Sequence, residues 1–231
     1  MAKITLIGSS HIARDSVKLI RTEILKEKPE LVAVELDQDR MYSLFNKETK
    51  IKLSTIKKIG LMGFLFTFIG KALQDKLGKL VGITPGSDIR SAIIYGKEVG
   101  ATICLIDKNI KTIAKDISNI PFFEKIKIIG YLLGALIYAP FASIFKSKKG
   151  IDISKVPSEQ IIEDAIKEFK EKFPKLYDIL IESRNKHMAS ILNFLGKKNP
   201  DVKIIAVVGA GHISGIKDIL KDKYSIKVEV K

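Results

Sequence analysis

A chain of 231 residues that is 46% hydrophobic can fill one α/β core, and is too short for two comfortable domains with a site between them. Its single cysteine, Cys104, lies in the apolar run 102–106, which excludes an internal disulfide and a thiolate metal cluster and reads as a small core thiol. Forty basic residues against 26 acidic give a formal charge of +14, which favours anionic partners, but the lysines fall on outer helix faces with no interleaved aromatics. That is a solvated Lys-rich surface of the kind thermophile proteins carry, and specific nucleic-acid binding is not expected.

Met1-Ala2-Lys3 leads straight into a strand over Lys3–Ile7, so the expected location is the cytoplasm or the cytoplasmic face of a membrane. Further β-branched runs follow at Leu31–Leu36, Thr102–Ile106, Lys203–Val208 and Ile226–Val230. They are rich in Ile and Val without clean alternation, which predicts a mostly parallel central sheet of about five strands covered by helices, an α/β fold formed by the single domain 1–231. Helices are expected over Gln38–Asn46, Ser87–Val99 after the Pro85-Gly86 turn, Pro157–Lys172 and Pro174–Leu195.

The intervals between the second, third and fourth strands exceed what a crossover needs, so they must hold long helical insertions, at about 50–84 and 118–150. Both are apolar. The run 60–70 is almost uncharged, and 128–145 is uncharged but interrupted by Gly130, Gly134 and Pro140. These segments read as a helical lid, a homodimer surface or a hairpin resting on a membrane surface, in preference to a bilayer span.

In an open parallel sheet, ligands bind beyond the carboxyl ends of the strands. Here the first strand runs into Gly8-Ser9-Ser10-His11, the second into Glu35-Leu36-Asp37 with Arg40 a turn later, the third into Asp107-Lys108, and the fourth into Gly209-Ala210-Gly211-His212. Two of the three histidines thus follow the same pattern: apolar strand, Gly, two residues, His. The glycines are expected to permit a sharp exit from the strand, and each imidazole to lie near a helix amino end, where the neutral form that binds a metal or takes a proton is favoured. His187 lies outside this pairing and reads as a surface or core residue.

These residues, with Thr84-Pro85-Gly86-Ser87-Asp88, Leu105-Ile106-Asp107, Glu182-Ser183-Arg184, Met188 and Gly215, resemble the TraB family in order along nearly the whole chain. That family includes pheromone-shutdown proteins and archaeal relatives, and is more distantly similar to Tiki metalloproteases and to erythromycin esterase-like and ChaN-like folds. The resemblance implies a divalent-metal hydrolase or a close derivative, with His11, Glu35, Glu182 and His212 at its centre. Asp88 stands where the family usually has Glu, and Lys108, a poorer bidentate clamp for a carboxylate, where it commonly has Arg. Relatives often continue into carboxyl-terminal membrane helices, so a short member or the soluble part of a longer protein is expected.

The leading expectation is that His11, His212 and Glu35 hold a divalent cation (manganese, cobalt or zinc) whose bound water attacks a peptide amide or an ester. Glu182 or Asp107 would serve as general base, and Arg40 or Arg184 would steady the oxyanion. A metal-free esterase with a histidine base is one alternative, and a non-catalytic protein that sequesters a small peptide at a membrane surface is another. A dinucleotide fingerprint at Gly209, Gly211 and Gly215 with Glu229 is disfavoured, because its spacing is Gly-x-Gly-x-x-x-Gly and no second nucleotide half follows.

Overall fold

The computed structural model describes residues 2–9, 14–46, 86–138, 159–226 and 228–231. In chain order these form β1 (Lys3–Ser9), α1 (Arg14–Glu27), β2 (Leu31–Val34), α2 (Gln38–Asn46), α3 (Ser87–Glu98), β3 (Thr102–Leu105), α4 (Ile110–Ser118), α5 (Phe122–Tyr138) and α6 (Glu159–Lys172). Then come α7 (Pro174–Tyr177), a π-helical turn (Asp178–Glu182), α8 (Ser183–Lys198), β4 (Lys203–Gly209), a 3₁₀ turn (Ala210–His212), α9 (Ile213–Tyr224) and β5 (Val228–Val230).

The five strands form one sheet in the order β3-β2-β4-β1-β5, and every pairing is parallel. The α/β expectation therefore holds. Ile and Val at nearly every strand position have somewhere to go because both faces are covered. On one face Ile4, Leu6, Ile204, Ala206 and Val208 pack with Met188, Ala189 and Leu192 of α8 and Ile213, Ile216 and Leu220 of α9. On the other, Ile7, Val32, Val34, Ile205 and Val207 meet Ile20 and Ile24 of α1 and Ile89, Ala92 and Ile93 of α3. At Gly96 helix α3 lies so close to the sheet that a β carbon would sit 2.8 Å from Ile103 Cδ1 and 3.1 Å from Val32 Cγ2.

β2 is shorter than the run Leu31–Leu36, because Leu36 N–H bonds back to Val34 O at 2.7 Å and turns the chain out of the ladder. β1 and β4 extend further than expected, to Ser9 and Gly209, which pair with each other. The two strands that carry the Gly-x-x-His sequences are thus immediate neighbours, in register to their last residues.

The apolar run 128–145 is described only to Tyr138, as the later part of α5. Ile128 is buried with Ile113, Ile117, Ile120 and Leu176, whereas Phe122, Phe123, Ile126 and Tyr131 on the same helix are exposed. Among the described residues, no helix is long and apolar enough to cross a membrane. The insertion at 50–84, the segment 60–70, Pro140 and Pro157 lie outside the described residues.

Candidate functional site

The site is built where β2, β3 and β4 end. Glu35 follows β2, and its N–H still bonds Val207 O at 3.1 Å. Its side chain reaches the neighbouring strand end, where Oε2 accepts the Gly209 N–H at 2.6 Å. Gly209 has φ −58° and ψ 140°, a backbone open to any residue, so the expected need for a glycine-only exit does not apply there. At Gly8 the constraint is space, since a β carbon would stand 3.2 Å from Ile213 Cγ1.

Asp37 starts α2 as its position before the helix dictates: Oδ1 accepts the N–H groups of Asp39 at 2.8 Å and Arg40 at 3.1 Å. Its Oδ2 accepts from Arg40 Nε at 2.7 Å and from the Ile110 N–H at 3.1 Å, tying α2 to the start of α4.

Arg184, on the first turn of α8, spans the ends of β2 and β3. Its Nη2 donates to Glu35 Oε1 and, at 2.6 Å, to Asp107 Oδ2, while Nε donates to Asp107 Oδ1 at 3.0 Å and Nη1 to Leu180 O at 3.1 Å. Asp107 also accepts from Arg40 Nη2 and from the Lys108 N–H at 2.7 Å. Burial pushes the Asp107 carboxyl up, but the hydrogen bonds and charges of Arg184, then Arg40, outweigh it and hold the group at about 2. Burial likewise opposes the charge on Arg184, and Asp107 and Glu35 overcome it, keeping the guanidinium above its ordinary value. Four donors on two oxygens fill the acceptor capacity of Asp107, so its chemistry is that of a brace and it makes a poor proton acceptor. Arg184 has spent most of its donors in the same way, whereas Arg40 is less fully engaged and its side chain is 29% exposed.

His212 closes the 3₁₀ turn at the amino end of α9, as the expected helix-terminal placement requires. Its Nε2 stands 3.5 Å from Glu35 Oε1, and its Nδ1 is 2.6 Å from Asn185 Oδ1. All three side chains are buried. Alongside them, Ser9 Oγ donates to Asp88 Oδ2 at 2.5 Å, joining the end of β1 to the first turn of α3.

Of the residues singled out in the sequence, Glu35, Arg40, Asp107, Arg184 and His212 therefore stand in one continuous cluster. Glu182 does not join it: the side chain is 35% exposed and pairs with Lys186 Nζ at 3.0 Å along the helix. His11 lies outside the described residues. His187, lowered by burial and placed beside Asp107 and Lys108, stays outside the Glu35–His212 pair. Two contributors were not picked out as site residues, Asn185 and the Ser9–Asp88 pair. A signal for Asn185 is present, since it is the one amide in the stripe 185, 188, 189, 192, 196 that α8 buries.

Chemically, three carboxyl groups (Glu35, Asp37 and Asp107) face two guanidiniums in a water-poor corner, so the cluster can accept additional positive charge. Two ligands at 2.0–2.2 Å on a tetrahedral ion lie about 3.4 Å apart, so the 3.5 Å between Nε2 and Oε1 fits a shared cation. Among the described residues, no group of three or more His, Cys, Asp or Glu is placed to hold one.

The model of the TraB/PrgY/gumN family matches residues 2–227. An uncharacterized protein of Methanocaldococcus jannaschii is 33% identical over 225 residues, which cover 94% of this chain and 53% of that protein. TraB domain-containing proteins of Mus musculus and Homo sapiens are each 23% identical across 93% of this chain and 62% of their own length. The chain thus spans a little over half the length of the relatives it matches. A family match across nearly every residue, over a sheet that sets the two Gly-x-x-His strands side by side, establishes that the chain belongs to the TraB/PrgY/gumN family.

Proposed function

We propose that the chain is a metal-assisted hydrolase of a peptide amide or ester, with Glu35 and His212 as two ligands and His11, two residues past the end of β1 in sequence, as the third. The observation that carries this reading is the buried 3.5 Å approach of His212 Nε2 to Glu35 Oε1 at the end of adjoining strands. Manganese, cobalt and zinc all suit such mixed nitrogen and oxygen donors. A divalent ion held there lowers the proton affinity of a bound water and polarises the substrate carbonyl.

The protein's own residues do the rest. Arg184 and the Gly209 N–H hold the Glu35 carboxylate by one oxygen each, fixing its orientation before substrate arrives. Asp107 fixes Arg184 and Arg40 in turn. Arg40, whose side chain is partly exposed, would meet negative charge on the substrate carbonyl oxygen.

Titration of the metal-free chain with Mn²⁺, Co²⁺ and Zn²⁺ by calorimetry, beside the His11→Ala, Glu35→Gln and His212→Ala proteins, tests the proposal. Binding that weakens at least tenfold in each variant is expected; equal binding in all four rejects it. Mass spectrometry of a peptide mixture incubated with the loaded protein then separates cleavage from capture. Intact peptide retained by the protein would favour the sequestering role, which the engagement of Glu35 Oε1 by Arg184 also suits.

A further inference from the structure

We propose that Asn185 is the positioning residue of His212: its carbonyl oxygen holds the imidazole in the tautomer with the proton on Nδ1, and Gly215 is the surface that holds the Asn185 amide in place. The catalytic meaning of this rests on the hydrolase reading above, but the tautomer itself can be read without it.

Three observations converge. First, Asn185 Oδ1 lies 2.6 Å from His212 Nδ1, with both side chains buried, so one of the two must supply the proton. An amide oxygen only accepts, which puts the proton on Nδ1. Second, Nε2 stands 3.5 Å from Glu35 Oε1. An N–H donated to a carboxylate closes to about 2.8 Å, so Nε2 gives no such bond to that oxygen, as an imidazole protonated on Nδ1 requires. Third, a β carbon at Gly215 would come within 2.2 Å of Asn185 Nδ2 and 3.1 Å of its Cγ. The amide is thus pressed against the α9 backbone one turn beyond His212, and any side chain at 215 displaces it.

The frame behind this contact is stiff. Asn185 belongs to the buried face of α8 with Met188, Ala189 and Leu192, which pack in one cluster with Ile213, Ile216 and Leu220 of α9. The amide and the imidazole therefore approach from two helices already locked together on the sheet. The next residue along α8 toward its start is Arg184, which orients Glu35. One helical turn consequently positions both partners of the pair, the carboxylate through a guanidinium and the imidazole through an amide.

Nitrogen-15 NMR of histidine-labelled protein reads the tautomer directly, with the His212 signals assigned by their loss in a His212→Gln protein. In the unsubstituted chain Nδ1 is expected to give the protonated-type and Nε2 the bare-type resonance. Asn185→Leu, matched in size but without an acceptor, should lose that preference, Asn185→Asp should restore it, and Gly215→Ala should weaken it by displacing the Asn185 amide while both polar residues stay in place. Should one substitution fail to fold, judged by its amide spectrum, the other provides the comparison. An Nε2–H form in the unsubstituted chain, or an unchanged Nδ1–H form in Asn185→Leu and Gly215→Ala, overturns the inference. A chain that shows the Nδ1–H form yet binds no Zn²⁺ in the titration above sinks the metal reading alone and supports the positioning role.

Discussion

Asp107→Asn keeps the size of the side chain and deletes one charge between two guanidiniums. The folded protein holds the Asp107 carboxyl at about 2 against an ordinary value of 3.8, and the side chain is fully buried, so no solvent discount applies. The difference corresponds to roughly 2–3 kcal/mol in favour of the ionised form, and an uncharged amide forgoes it. Because the folded value is the lower one, the contribution is complete above about pH 5, falls to about half near pH 3 and disappears as the pH drops through 2. Urea unfolding followed by circular dichroism at pH 7, 5, 4 and 3 should therefore show the two proteins roughly 2–3 kcal/mol apart at neutral pH and converging in acid. A gap below about 0.5 kcal/mol at pH 7, or one that stays constant between pH 5 and pH 3, would refute the account of Asp107 as a charged brace.

Arg184→Lys should lower stability by ~2–3 kcal/mol in the same assay, because an ammonium cannot span Glu35, Asp107 and Leu180 O together. Glu182→Gln should change stability by less than about 0.5 kcal/mol and leave metal titration as it was, since it removes the charge of a partly exposed pair with Lys186 while an amide can still bond the Tyr177 hydroxyl; a tenfold loss of metal affinity would place Glu182 in the site. Gly96→Ala should cost ~1–3 kcal/mol, seen as a lower melting temperature, because its methyl meets Ile103 and Val32 across the α3–sheet contact.

The sheet was legible because burial on both faces writes Ile and Val at consecutive positions, and because each strand ends where polar residues begin. The candidate cluster was legible for the same reason, as Glu35, Asp107 and His212 all stand just past a strand. Glu182 stands outside the cluster for a different reason. It ends a π-helical turn, Asp178–Glu182, whose wider winding shifts the residues before α8 out of the spacing an unbroken α-helix would give, and apolar periodicity does not register that shift. Asn185 carried no charge to draw notice, although its place in an apolar stripe is itself a signal: an amide there needs a partner. The role of Gly215 is invisible in one dimension, because the atom it accommodates belongs to residue 185 on another helix.

The strand order also governs how the molecule can come together. Within the sheet of the described residues, β1 pairs only with β4 and β5, and β2 is joined to β1 through β4. On a growing chain the amino-terminal strand therefore waits, with both edges unpaired, until residues past 203 have left the ribosome. Completion of the sheet is consequently late, through contacts of very long sequence separation, and a stalled nascent chain would expose a raw strand edge that invites chaperones or aggregation.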